Sequence, residues 1–256
     1  ILPPWPMDDY LETVPHADNP FRKEQGWEDK FVVMYSGNHS LVHPLNTLLD
    51  AAEQLKDDPR FVFVFIGGGK GKQAVEDRIA QLNVERCSLN RESTATNNQP
   101  QTSSDLISLP YQPLDQICYS LSAADLHIVS LGDNMSGIVH PCKIYGALSI
   151  GRPVLTLGPK ESYLNDIIEP ADSRRRTETK CQKTESIRHP SSQARPIGWA
   201  ITHGDVAAAV KALKEAADQT RQERAAISLR AQEVATEKFG REQLVQQFLE
   251  TILDHG

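Results

Sequence analysis

The chain has 256 residues, a net charge of -7 and a pI near 5.6, which disfavours a protein that binds nucleic acid over its surface. Hydrophobic residues make up 39% of the sequence, no apolar run is long enough to cross a bilayer, and the start lacks the regions of a signal peptide. The four cysteines are scattered without metal or disulfide spacing, so we expect reduced thiols in a cytosolic protein.

The first half of the chain alternates strand and helix patterns. Residues 30–38 form a short apolar run that ends in glycine, and residues 43–55 carry leucine and alanine at helical spacing. Residues 60–70 repeat the theme, with a run that is apolar on both faces, as a central parallel strand requires, and that three glycines end. Residues 71–82 follow with the next helical pattern.

The alternation continues to the C-terminal helices. Residues 105–131 read as strand, turn, helix and strand, and residues 132–158 add another helix and strand. A short helix is predicted at 162–169 and a last strand at 198–205, after which the pattern is helical to the end. Strands separated by single helices imply parallel pairing with right-handed crossovers.

These patterns predict an α/β fold, a Rossmann-like doubly wound sheet of six parallel strands in the order 3-2-1-4-5-6. Two polar stretches rich in Ser, Thr, Asn and Pro interrupt the pattern and are predicted to be surface-loop insertions. We therefore divide the chain into a linker and lead-in (1–29), a nucleotide-sugar-binding domain (30–239) with insertions at 85–104 and 170–196, and a C-terminal helix (240–256).

Glycines fall at the ends of the predicted strands, where open parallel sheets bind ligands. Gly37, Gly67 to Gly69 and Gly137 allow close backbone approach to a ligand and leave amide groups at helix starts, where phosphate binds. For any one of them, the alternative is a tight turn between strand and helix. The run "GGGKGK" matches neither the P-loop motif nor the dinucleotide fingerprint.

Five segments in order carry a family resemblance. They are "YSGNHSLVHPLNTLLDAAEQL", "FVFVFIGGGKGK", "ISLPYQPLDQICYSLSAADLHIVSL", "GIVHPCKIYGALSIGRPVLTLG" and "GWAITHGDVAAAVKAL". Together they resemble the C-terminal, donor-binding half of a GT-B glycosyltransferase of family 4 (group 1), in its colanic-acid and O-antigen branch. The resemblance implies retaining transfer of a sugar from a UDP- or GDP-type nucleotide-diphospho-sugar in cell-surface polysaccharide synthesis. It implies neither a metal nor a cofactor.

The resemblance also indicates which residues meet the donor diphosphate. They are Gly37, Asn38, Gly137, Ile138 and Lys143, the last in a "PCK" that resembles the "PSK" of the family. The first helical turn after this glycine-led loop is expected to direct its amides at the anion, with the lysine adding a full charge. The alternative for the lysine is a solvated position on the helix surface.

The donor sugar is assigned to a polar loop. Many family members carry two glutamates here, but this chain has Ile138 and Gly146 at those positions. Contacts to the sugar are therefore expected from Asp133, Asn134 and Ser136, whose alternative is an ordinary polar turn. No catalytic residue is identified from the sequence.

The nucleotide base is assigned to the ends of the second and third strands, at Gly67, Gly68, Tyr111 and Gln112. Basic residues that family members carry near the phosphates have three substitutes in this chain: His39, His43 and Lys70.

The resemblance implies partners as well. We expect an N-terminal, acceptor-binding half outside this chain, so that the 256 residues alone transfer no sugar. A cytoplasmic protein is expected, peripheral to the inner face of the membrane through its full-length form, and a homodimer through the last helix is left open. Two alternatives remain: an enzyme like the UDP-sugar 2-epimerases, and a non-catalytic module that binds nucleotide sugars or proteins.

Overall fold

A single parallel sheet organises the protein, which a computed structural model describes over residues 11–93, 105–169 and 196–253. Its strands are β1 (Phe31–Ser36), β2 (Phe61–Ile66), β3 (Leu106–Leu109), β4 (Leu126–Ser130), β5 (Val154–Leu157) and β6 (Gly198–Ile201). All five neighbouring pairs are parallel, and the order is β3-β2-β1-β4-β5-β6. The predicted Rossmann-like sheet and its strand order are confirmed.

Helices cover both faces of this sheet. Those of the described residues are α1 (Pro20–Glu24), α2 (Asn46–Gln54), α3 (Lys72–Ser93), α4 (Ile117–Ser122), α5 (Lys143–Ser149), α6 (Tyr163–Ile168), α7 (Val206–Asp218), α8 (Arg221–Phe239) and α9 (Arg241–Leu253). None of them is long and apolar enough to cross a membrane.

The core is divided between the two faces by the alternation of side chains along each strand. In β1, Val33 and Tyr35 join the cluster built with α2, α3 and α7, whereas Val32 and Met34 join the cluster on the opposite face. All four side chains are fully buried. A strand apolar on both faces is what a central position between two helical layers requires.

The segment before β1 packs against the sheet. Phe21 and Trp27 are buried in the same cluster as Val32 and Met34, with their ring centroids 5.8 Å apart. Asn19 caps α1, because its side chain accepts the Arg22 N–H, as expected for asparagine at this position. Residues 11–29, within the predicted lead-in, are therefore part of the packed domain.

A buried ion pair joins this segment to the start of β4. Arg22 is 2% exposed and donates from Nη1 to Asp125 Oδ2 (2.9 Å) and to the Ala123 carbonyl (2.7 Å). The same carboxylate oxygen accepts the Val32 N–H at 2.9 Å, and the Arg22 Nη2 donates to the Lys30 carbonyl. One aspartate thus fixes α1, β1 and β4 relative to one another.

One element differs from the sequence-based expectation. The helix predicted at 71–82 continues to Ser93 as α3, so residues 85–93 are helical where a loop insertion was predicted, and glutamate, arginine and leucine there favour helix. Residues 94–104 and 170–195 of the predicted insertions lie outside the described residues. On α9, Leu244 is buried whereas Phe248 is 52% exposed, and the side chain of Ile252 lies outside the described part.

Removing the aspartate of the buried pair should destabilise the domain strongly. Asp125→Ala leaves the Arg22 guanidinium buried without its carboxylate, and breaking such a pair costs about 3–5 kcal/mol in the free energy of unfolding. Asp218→Ala is the matched control, because Asp218 forms its 2.7 Å pair with Arg60 at the surface and should change stability by less than about 1 kcal/mol. Urea unfolding checks both values, and equal effects would contradict the structural role of Asp125.

Candidate functional site

A cleft of about 550 Å³ opens at the carboxyl edge of the sheet. Gly37 after β1, Tyr111 and Gln112 after β3, and Lys143 at the start of α5 line it. The cleft lies where the strand order reverses, since β1 is flanked by β2 on one side and β4 on the other. Ligands of open α/β sheets bind at such switch points. No Asp or Glu belongs to the described lining of this cleft.

Two glycines allow the loops after β1 and β2 to meet. Gly37 has φ 130°, and a Cβ there would lie 3.2 Å from Lys143 Cε. Gly67 has φ 128°, and a Cβ there would lie 2.0 Å from the Gly37 carbonyl oxygen, which no side chain tolerates. The glycine requirement at these strand ends is therefore steric, and it lets the lysine stem lie against backbone.

Lys143 is held by the aromatic side chain at the end of β1. Its Nζ donates to Tyr35 Oη at 2.6 Å and lies 3.4 Å from the Asn38 carbonyl oxygen, to which Tyr35 Oη donates at 2.7 Å. The amine also lies 4.1 Å from the centroid of the Tyr35 ring. Burial lowers the pKa of Lys143 to about 7, and burial likewise raises the pKa of Tyr35.

A buried histidine and a second lysine brace the loops beneath the cleft. His39 Nδ1 lies 3.1 Å from the Gly37 carbonyl, and burial, with the nearby charge of Lys72, lowers the pKa of this histidine to about 4. Lys72 Nζ donates to the carbonyls of Phe65 (2.8 Å) and Leu109 (3.1 Å), near the ends of β2 and β3. A neutral, buried His39 supports the backbone rather than supplying a positive charge to a ligand.

The residues predicted to meet the base lie together at one side of the cleft. The Tyr111 ring covers the glycine turn after β2, since a Cβ on Gly68 would lie 3.0 Å from its Cε2 and one on Gly67 would lie 3.3 Å from its Cε1. The Tyr111 side chain remains 57% exposed. Gln112 donates from Nε2 to the Pro110 carbonyl at 3.0 Å.

The residues predicted to meet the sugar lie outside the described lining of the cleft. Asp133 and Asn134 belong to an exposed 3-10 turn, and Ser136 Oγ donates to the Glu161 carbonyl at 3.2 Å. Within residues 11–93, 105–169 and 196–253, no cluster of His, Cys, Asp or Glu has the geometry to hold a metal ion.

The two predicted phosphate-binding amides of this loop are in different states. The Ile138 N–H is donated to the Met135 carbonyl at 3.1 Å, so it contacts phosphate only if that bond breaks. Gly137 has φ 77°, and the space where its Cβ would stand is open to 4 Å. The Ile138 side chain is 76% exposed.

The family's second glutamate position is part of the cleft. Gly146, which occupies it, lines the cleft, and a Cβ there would lie 3.6 Å from Leu11 Cδ1. The site therefore combines a cation with hydroxyl, amide and apolar groups, and its described lining contains no carboxylate.

Tyr35 is the site residue that the sequence analysis did not identify. It stands in an apolar strand and was assigned to β1 without a role. Its position one residue before the last of β1, two before Gly37, was the available signal, because the end of a strand at this edge faces the ligand side.

Sequence comparison finds glycosyltransferases. No family model matches the chain. It is 25% identical over 170 residues to the probable glycosyltransferase WbjE of Pseudomonas aeruginosa. The aligned region covers 64% of this chain and 36% of that relative. It is 24% identical over 142 residues to the putative colanic acid biosynthesis glycosyl transferase WcaI of Escherichia coli (strain K12), which covers 56% of this chain and 30% of the relative. The chain thus spans about a third of these curated relatives.

Solved structures with the same fold include glycosyltransferases. Anabaena Alr3699/HepE in complex with UDP-glucose aligns at a TM-score of 0.62 and 19% identity, over 95% of this chain and 54% of that chain. WaaG, a glycosyltransferase involved in lipopolysaccharide biosynthesis, aligns at 0.62 and 16% identity, over 96% and 54%. The fold is that of these proteins, and the resemblance to GT-B glycosyltransferases predicted from the sequence is confirmed.

The half-buried Lys143 predicts a pH dependence of stability. Its pKa of about 7 in the folded protein lies below its ordinary value of 10.5, so between these values the unfolded chain binds the additional proton. The free energy of unfolding should therefore rise with pH from about 7 to 10 through this group. In Lys143→Met that rise should be absent, and urea unfolding of both proteins from pH 6 to 10 measures the difference. Parallel curves would contradict a lowered pKa of the Lys143 amine in the folded protein.

Proposed function

We propose that this chain is the donor-binding half of a retaining glycosyltransferase that builds cell-surface polysaccharide or glycoconjugate from a nucleotide-diphospho-sugar. One observation carries the proposal. One cleft at the switch point of the sheet is lined by residues that are far apart in the sequence: Gly37, Tyr111, Gln112 and Lys143. Its described lining contains a cation and no carboxylate. A ligand with a negative centre and a flat polar group fits this distribution.

The diphosphate is assigned to the side of the cleft where Lys143 stands against Gly37. The amine is aligned by Tyr35 Oη and by the Asn38 carbonyl, so it meets an incoming phosphate oxygen without reorganising. The Gly37 position carries no side chain that would keep the diphosphate away from the backbone. Asn38, Gly137 and the amide of Ile138 remain assigned to this part of the donor as predictions.

The base and the sugar are assigned to opposite sides of the diphosphate. Tyr111 and Gln112, beside the glycine turn of Gly67 and Gly68, offer a ring face and an amide to the base. The sugar is assigned to the loop that holds the polar residues at positions 133, 134 and 136. Loop 132–142 follows β4 and leads to Lys143, which favours this arrangement.

Transfer requires the bond between the sugar and the diphosphate to break with negative charge left on the phosphate. A fixed ammonium group at Lys143 stabilises that charge as it develops, and this electrostatic effect needs no metal ion. Above a pH of about 7, the Lys143 amine is mostly neutral in the free protein. A bound diphosphate promotes its protonation, because a nearby negative charge raises the pKa of an amine. Retention of configuration is part of the proposal by resemblance to the family.

The type of product is taken from the relatives. The descriptions of WcaI and WaaG refer to colanic acid and lipopolysaccharide biosynthesis, and HepE is described in complexes with UDP and with UDP-glucose. We extend these to a UDP- or GDP-type donor in polysaccharide synthesis. The acceptor is assigned to a second domain, in keeping with the 54% of HepE that the chain spans. Peripheral membrane association and a homodimer through α9 are further parts of this proposal.

Lys143→Met should weaken the binding of uridine diphosphate. The loss of one charge-assisted bond of about 1.5–3 kcal/mol predicts an affinity on the order of tenfold lower or more. Lys56→Met is the control, because it removes the same charge from an exposed position just after α2. Calorimetry at pH 6.5 and 8.5 checks both variants. Since the titration of the nucleotide is common to all proteins, the wild type and Lys56→Met should lose additional affinity at the higher pH, and Lys143→Met should not.

Equal affinity of Lys143→Met and wild type would rule out the diphosphate assignment. A loss of the same size in Lys56→Met would indicate a general charge effect instead. If Lys143→Met loses affinity but the full-length protein transfers no sugar, the result would favour the non-catalytic module. The absence of glutamate at positions 138 and 146, which are Ile138 and Gly146, also favours that alternative.

The 256-residue chain alone should bind a nucleoside diphosphate but transfer no sugar. Transfer occurs where donor and acceptor are positioned against each other, and an open cleft admits water to the donor. A panel of radiolabelled sugar nucleotides, incubated with this chain and with the full-length protein, tests this expectation. Slow release of free sugar by the chain is compatible with it. Transfer at matching rates by both proteins would place the complete active site within these residues.

A further inference from the structure

A second cleft lies at the opposite edge of the sheet, where the strands begin. It has a volume of about 570 Å³ and lies between the segment around His16, the starts of β1 and β5, and the first turns of α8. Phe31 at the start of β1 and Pro153 just before β5 are among its lining residues. It shares no lining residue with the cleft that holds Lys143.

Arginine dominates the charge of this amino-edge cleft. Arg152, Arg221 and Arg224 line it, and the one acidic residue of its described lining is Asp125. That carboxylate is already neutralised, because its Oδ2 accepts from Arg22 at 2.9 Å, and Arg22 does not line the cleft. The lining thus has an excess of positive charge in a chain whose net charge is -7.

Arg152 is the unusual member of the group. Its Nη2 donates to the Ser122 carbonyl at 2.8 Å, while its Nε is buried and has no hydrogen-bond partner. Among the described residues, no carboxylate oxygen lies within 4 Å of its guanidinium. Burial lowers the pKa of Arg152, and the charge of Asp125 offsets this lowering only in part. A partly desolvated guanidinium that no carboxylate contacts is costly to the fold, and a bound anion reduces that cost.

The other two arginines differ in how firmly they are held. Arg224 donates to the Gln219 carbonyl (3.2 Å) and the Ala217 carbonyl (2.8 Å), and its Nη1 lies 3.4 Å from Asp125 Oδ1. Arg221 is exposed at the first position of α8. Thr220 and Glu223 already cap that helix, so the guanidinium groups, rather than the helix terminus, are available to a ligand.

We propose that the amino-edge cleft binds a phosphate-bearing small molecule, with Arg152 and Arg221 as the groups that contact the phosphate. The planar guanidinium is suited to bidentate contact with phosphate oxygens. The volume matches a sugar-sized ligand, and the hydroxyl of Ser228 and the amide of Gln219 in the lining offer hydrogen bonds to its polar groups. The site is independent of the proposed donor site, since a ligand here stands at the other end of the strands.

Calorimetry in the Lys143→Met background tests this site with phosphate binding at the carboxyl edge weakened. Inorganic phosphate and a hexose 6-phosphate are titrated at constant ionic strength, with saturable binding expected for at least one of them. Arg152→Met should weaken that binding about tenfold or more, and the exposed Arg221→Gln about threefold to tenfold. Lys211→Gln, which removes an exposed charge on α7 outside the cleft, should leave the affinity unchanged.

Each outcome bears on the proposal. Tighter binding of the hexose phosphate identifies a phosphate ester as the ligand, whereas equal binding identifies free phosphate, and both support the site. Absence of saturable binding up to about 10 mM overturns it, as does an affinity that neither arginine variant changes. Ligand should also raise the unfolding temperature of wild type more than that of Arg221→Gln, which keeps the test valid if Arg152→Met does not fold.

Discussion

Parallel pairing of β1 with both β2 and β4 is the constraint on which both clefts depend. Phe31 to Ser36 pair in full register with Phe61 to Ile66, and β4 pairs with β1 at Val33 and Met34. Because β4 follows β3 in the chain but lies beside β1, the connections after β1 and β4 turn to opposite sides of the sheet. The gap between them at the carboxyl edge brings Lys143 against Gly37. The same order collects the strand starts, and with them Asp125 and Arg152, at the other edge.

Most of the fold was predictable because a strand that is buried on both faces of the sheet is apolar at every position of the sequence. The run at Phe61–Ile66 is apolar at every position, and each strand is separated from the next by one helical pattern, which together determine parallel pairing. The end of α3 was not predictable in this way, because residues 85–93 continue a helix without an apolar periodicity. The Arg22–Asp125 pair joins residues 103 positions apart, and no local pattern indicates such a contact.

The candidate site was predictable where it depends on backbone and unpredictable where it depends on side-chain direction. Gly37 was identified from its place after a strand and Lys143 from the "PCK" before the next helix, and they meet in one cleft. Tyr35 was not identified, since its direction follows from the pleat of β1 and its partner lies 108 residues away. The Ile138 amide was assigned to phosphate, but a sequence does not show that a 3-10 turn uses this N–H.

The partners of the buried and half-buried cations separate those that hold the fold from those that are available to a ligand. Arg22 is neutralised by Asp125, and Lys72 is bound by two strand-end carbonyls with Glu76 at 4.0 Å. Lys143 has a tyrosine hydroxyl and a carbonyl, and no carboxylate within 4 Å among the described residues. Burial lowers its pKa, because desolvation favours the neutral amine. The charged form of Lys143 destabilises the folded chain, and a bound anion stabilises that charged form. The protein is therefore less stable at the same position where the charge strengthens ligand binding.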